Sequence, residues 1–151
     1  MNGYSELLNY FKELGTPLVN KVTNKALDQI DQKKKNIFPM LNVLITGGGF
    51  PSDGTILFNV TLTCLDIRDI NKEVNTDDYW NNDNEVDNIN FCLQVINRIW
   101  LQMLKDFADN NITASENPTF EIGTLMHANL LDGVTINFDV TIPNTTINLC
   151  Q

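Results

Sequence analysis

At 151 residues, 42% of them apolar, the chain suits one domain that buries roughly 68–70% of its extended-chain surface without staples. Nineteen acidic against ten basic residues give a net charge of −9, which disfavours a basic face that grips nucleic-acid phosphates and a polybasic membrane binder. Cys64, Cys92 and Cys150 lie far apart without a CxxC, which argues against a disulfide framework or a cysteine zinc site and for a reducing compartment.

The N-terminus lacks the basic region and apolar stretch of a secretory signal, and no apolar run approaches the roughly 18 residues that span a bilayer. Tyr4, Leu7, Leu8, Phe11 and Leu14 recur at helical spacing. Gly15-Thr16-Pro17 breaks that helix, with Thr16 as N-cap and Pro17 as first residue of a second one. Val19, Val22, Ala26 and Ile30 give the second helix a narrow apolar stripe, and Lys33 to Asn36 end it. Residues 1–36 hold six lysines and four acids, net +2, whereas the remainder holds four bases and fifteen acids, net −11.

The period then changes to two. Ile37 to Thr46 predicts a strand, the turn-rich run Gly47 to Gly54 a mobile hairpin tip, and Thr55 to Ile67 a half-buried strand. Ile56, Phe58, Val60, Leu62 and Cys64 share one face of that strand, which makes Cys64 a core thiol. Asp66 to Asp87 is a polar crossing with eight acids and two bases. Asp83 or Asn84 caps a helix of about 24 residues that carries Ile89, Leu93, Ile96, Trp100, Met103 and Phe107 on one stripe, widened by Cys92, Ile99 and Leu104. Asp109-Asn110-Asn111 ends it. Thr119 to Leu125 predicts a strand, Leu131-Asp132-Gly133 a turn, and Val134 to Ile142 a strictly alternating strand. The expected fold is α+β: an antiparallel sheet of about four strands, one long helix packed across it, and two N-terminal helices. The chain reads as a single domain, residues 1–151, with a helical arm (1–36), a sheet-plus-helix core (37–142) and a tail (143–151).

The chemistry-bearing residues are few. His127 is the single histidine and has no nucleophile and orienting acid beside it in sequence. Gly47-Gly48-Gly49 leads into Phe50-Pro51, with no lysine and no helix to follow, unlike a phosphate loop. The acidic crossing lacks the in-register glycine and glutamate of a calcium loop. Carboxylate spacing leaves glycoside hydrolysis open, although a sugar site would want more aromatics than Tyr79 and Trp80. No catalytic residue, metal or cofactor is expected.

Four blocks carry a family likeness. They are Ile37-Phe38-Pro39; Leu65 to Asp69 leading to Asn71-Lys72-Glu73; Thr76 to Glu85 running into Leu93 to Arg98; and Gly133 followed by Val140 to Asn144, with a cysteine near the C-terminus. Over residues 36–151 the chain resembles the small virion proteins of crAss-like and related tailed bacteriophages. Those proteins are tail-terminator-like and form rings between portal and tail. Related sequences often place an aromatic after the glycine of the last block, where this chain has Val134.

The resemblance implies a structural subunit of a homo-oligomeric ring, sixfold or twelvefold, in the virion neck. Its partners would be the portal and other neck or tail proteins, and DNA would pass through without specific binding. On that reading Phe38, Pro39, Phe50, Tyr79, Trp80, Pro143 and Asn144 are candidate inter-subunit contacts, with Phe50 docking into a neighbour. Asp66, Asp69, Asp77, Asp78 and Asp83 are candidate acidic lumen residues that repel phosphates. The alternatives are a non-catalytic accessory or binding module acting as a monomer or dimer, and a small metal-dependent enzyme using the acidic loop 66–87.

Overall fold

A computed structural model describes residues 3–25, 37–68, 85–126 and 131–143. Its elements are α1 (Tyr4–Gly15), β1 (Lys21–Thr23), β2 (Met40–Gly49), β3 (Thr55–Ile67), α2 (Glu85–Ala108), β4 (Thr113–Ala114), β5 (Phe120–Met126) and β6 (Leu131–Pro143). The strands form one mixed six-stranded sheet in the order β1-β2-β3-β6-β4, with β5 also pairing β6. This overturns the expectation of about four antiparallel strands and two N-terminal helices.

The largest difference follows α1. Thr16 closes that helix rather than opening another: its backbone N–H and its hydroxyl both donate to the Lys12 carbonyl, at 3.0 and 2.7 Å. Gly15 is buried, and a Cβ there would lie 2.7 Å from Leu41 Cδ2 and 3.1 Å from Val22 Cγ2. The helix end therefore sits flush on the sheet. The chain then runs as β1, parallel to β2 in the register Lys21↔Met40 to Thr23↔Asn42.

The side chain of Asn42, 1% exposed, holds this edge. Its Oδ1 accepts from Thr23 Oγ1 at 2.8 Å and from Lys25 N at 3.1 Å, while its Nδ2 donates to the Lys25 carbonyl. Asn20 adds bonds to the carbonyls of Pro39 and Phe38. A valine stripe that fits a helix is thus overridden by a partner strand and a buried amide. The remainder of the expected second helix, residues 26–36, lies outside the described residues.

β2 and β3 form an antiparallel hairpin with a bulge between Ile45 and Gly47. β3 and β6 pair without a break from Thr55↔Pro143 to Ile67↔Leu131. Leu131-Asp132-Gly133, expected to turn, is the start of β6. Gly133 belongs in the strand because a Cβ there would run into the Cys64 carbonyl oxygen of β3. β4 and β5 share the other edge of β6, β5 along its first half and β4 near its end.

The alternation of β3 and β6 sorts the sheet into two faces. On one face Val60, Leu62 and Cys64 meet Phe138, Ile136 and Val134, covered by Cys92, Val95, Ile99 and Met103 of α2 and by Leu7 and Phe11 of α1. α1 and β1 are therefore part of the core and sheet; residues 26–36 of the expected arm lie outside the described residues. Phe138 anchors this layer, with the rings of Trp100 and Phe11 edge-on to it at 5.2 and 5.9 Å. The opposite face carries a smaller cluster of Phe38, Met40, Leu65 and Leu131. Beside it run the polar cross-strand pairs Asn59–Asp139, Thr61–Asn137 and Thr63–Thr135.

Candidate assembly surfaces

Among the described residues, most exposed large apolar side chains gather in two places, while Val86 and Leu101 stand apart on the surface of α2. The first is the hairpin tip. Residues 50–54 are all exposed, and Phe50 is 75% exposed. Gly54 takes φ 78°, a backbone state that favours glycine, and Thr55 N donates to the Ser52 carbonyl to close the turn. Gly47-Gly48-Gly49, expected in the loop, belongs to β2. Gly48 has no room for a side chain against Leu57, whereas Gly49 has nothing within 4 Å of its would-be Cβ. The tip is therefore slim, with an aromatic at its end and half-exposed Tyr4 of α1 lining the same recess.

The second place is a groove of about 970 Å³ between α2 and the β4–β5 segment. Leu93, Trp100 and Leu104 form one wall, Ile136 of β6 is buried among its lining, and Phe120 stands on the other side. Phe120 is 48% exposed and Leu104 41%. The cause is geometric: α1 packs on β2 and α2 on β3, β6 and β4, and among the described elements none packs closely on the helical side of β5. Ile122, two residues from Phe120 and on the same face, is exposed for that reason. Asn90, Gln94 and Asn97 line the helix side of the groove at i, i+4 and i+7, so one rim is a row of side-chain amides.

Sequence reasoning missed this groove. It placed Leu104 on the buried stripe of α2, whereas the buried residues are Asn88, Cys92, Val95, Ile96, Ile99, Met103 and Phe107. The signal was Leu104 of α2 opposite an alternating Phe120-Glu121-Ile122, apolar sets that no other described element covers.

A third feature is a charged cluster where the acidic crossing leaves and rejoins the fold. Asp132, fully buried, accepts two hydrogen bonds from Arg68, Nε at 3.0 Å and Nη2 at 2.8 Å, and one from Asn88. Arg68 Nη2 also lies 2.8 Å from Glu85 Oε2, and Asn88 donates to the Ile67 carbonyl. The end of β3, the start of α2 and the start of β6 are thereby joined by one guanidinium. Asp66 stands across from Asp132 in the strand register. Burial, with the Asp132 charge adding, raises its carboxyl above the ordinary range, against a backbone hydrogen bond from Ile67 that pulls the other way.

The expected contact and lumen residues separate. Phe50 is on the surface, and Pro143 is half-buried at the end of β6 opposite Thr55. Phe38 is only 5% exposed and packs within its own chain, and Pro39 follows it through a cis peptide bond. Asp66 is half-buried beside Asp132 rather than a bare surface charge. Tyr79, Trp80, Asn144, Asp69, Asp77, Asp78 and Asp83 lie outside the described residues, as do His127 and Cys150.

Cys64 and Cys92 are free and fully buried; the neighbouring Cys92 thiol and burial both push Cys64 upward, which disfavours its thiolate. Among the described residues no group of three His, Cys, Asp or Glu is placed to hold a metal ion. None of the described helices is long and apolar enough to cross a membrane. No protein-family model and no curated protein matches the chain.

Proposed function

We propose that this chain is a non-catalytic structural subunit of an oligomeric ring in the neck of a tailed phage, joining portal to tail and forming part of the DNA channel. The resemblance of residues 36–151 to phage ring proteins suggests the setting. The observation that carries the reading is the presence of two unlike exposed apolar surfaces, the Phe50 tip and the α2–β5 groove. A twofold dimer uses one self-complementary patch, whereas rings use two different patches joined head to tail. The net −11 of residues 37–151 suits a bore past which DNA slides without adhering.

A second reading is a binding module that acts as a monomer or dimer. The groove favours it, because apolar clefts of about 300–1,000 Å³ with a few polar rim groups commonly hold ligands. Light scattering on the full chain over a wide concentration range separates the two. The ring reading predicts one closed stoichiometry above dimer, alone or on addition of the portal. A monomer or dimer under both conditions would contradict it. Portal and tail genes flanking the coding sequence are the expected genomic context.

A further inference from the structure

We infer that the α2–β5 groove is the receptor for the Phe50 hairpin tip of a second copy of this chain. This deepens the ring reading and rests on it. One molecule carries both halves of the contact. The tip offers an aromatic that is 75% exposed, behind which Gly47 and Gly49 leave the strand almost without side-chain bulk. The groove offers an apolar interior walled by Leu93, Trp100, Leu104 and Phe120. Its amide rim, Asn90, Gln94 and Asn97, both donates and accepts, as the peptide groups of a glycine-rich strand do. Neither surface fits its own kind: a protruding tip does not fill a tip, and a groove does not fill a groove.

Position and area then decide the form of assembly. The tip belongs to β2 and β3, whereas the groove lies beyond β6, between α2 and the β4–β5 segment, and shares no residue with the tip. A copy whose tip is inserted therefore still presents an empty groove, and the contact propagates head to tail until it closes. An aromatic side chain brings about 150–250 Å² to an interface. A tip led by one phenylalanine thus stays well below the roughly 800 Å² per partner of a stable two-body complex. A single insertion does not sustain a dimer. In a ring each subunit donates one tip and receives one, so both surfaces are filled and no end is left open.

The test places a photoreactive benzophenone analogue of phenylalanine at position 50 of the full chain and mixes isotopically heavy and light copies before irradiation. The expected result is heavy–light cross-links from position 50 to residues 90–104 or 114–120. In a Trp80→Phe background, Trp100 emission should shift to the blue as the chain assembles. Phe50→Ala alters only an exposed side chain and should keep the fold, yet raise the concentration needed for assembly by at least about tenfold. Phe120→Ser, on the groove side, should do the same. Rings whose cross-links map elsewhere, or that form unchanged with Phe50→Ala, would overturn the tip-in-groove contact and leave the ring reading standing. A chain that stays monomeric at every concentration, alone and with the portal added, and gives cross-links only within one copy, would overturn both.

Discussion

Replacing Asp132 with alanine removes the carboxylate that receives Arg68 through two hydrogen bonds and Asn88 through a third. The Arg68 side chain is 7% exposed, so its charge cannot turn to water. Breaking a buried ion pair from one side costs about 3–5 kcal/mol, most of it the desolvation of the charge left behind. Glu85, 18% exposed and 2.8 Å from Arg68, stays as a partner, which puts the expected loss near the lower end, about 3 kcal/mol. For a domain of this size that is a fall in Tm of roughly 6–12 °C. Urea unfolding followed by far-UV circular dichroism reads the loss as a lower midpoint at unchanged slope. Adding Glu85→Gln to Asp132→Ala should cost more than the sum of the two single changes, because both carboxylates described on the guanidinium are then gone. The double variant Arg68→Met/Asp132→Leu removes both charges and should lose less than Asp132→Ala alone. An Asp132→Ala protein within about 1 kcal/mol of the parent would refute the idea that this guanidinium ties β3, α2 and β6 together.

Three further perturbations test other parts of the fold. Asp66 has its folded pKa raised, so the native state takes up its proton more readily than the unfolded chain does. Its ionised form therefore opposes folding, fully above the folded pKa, and the penalty vanishes as pH falls below the unfolded pKa. Asp66→Asn, which keeps the oxygen that accepts from Ile67 N, should be more stable than the parent at pH 7 and lose that advantage at acid pH, read as the difference between two denaturation series. Tyr10→Phe removes the 2.7 Å bond from the Tyr10 hydroxyl to Asp106 Oδ2 and should cost about 1–2 kcal/mol in the same assay. Gly133→Ala drives a Cβ into the Cys64 carbonyl and should cost at least about 2 kcal/mol; a neutral result would place β6 in a different register.

Much of the fold was legible where local pattern and tertiary role agreed. β3 and α2 fall on the spans set by alternation and by the three-to-four spacing, because a long period summed over many residues outweighs single propensities. The α2 terminus was legible from Asn111, which takes φ 55° just beyond the helix. The errors have local causes. Val19 and Val22 fit a helix stripe, yet Gly15 allows the helix end to pack flat, and Asn42 rewards an extended Thr23 through a bond 19 residues away. Leu131-Asp132-Gly133 looks like a turn by composition. However, Asp132 is needed for Arg68, and Gly133 for the close approach to β3. Neither cause is visible without the partner strand. The two-residue strand β4 carries no pattern at all. Of the surfaces, the Phe50 tip was legible from its turn residues and lone aromatic. The groove was not, because a helix stripe does not reveal which of its residues lie past the edge of the sheet.

Electron microscopy of the purified full chain, averaged in projection, tests the central claim most directly. The account predicts closed annular particles of one symmetry with an open central hole, formed by the parent chain and depleted in Phe50→Ala. Compact particles without a hole or twofold dimers, both for the chain alone and with the portal added, would contradict it; rings equally abundant in Phe50→Ala would contradict the tip-in-groove contact alone.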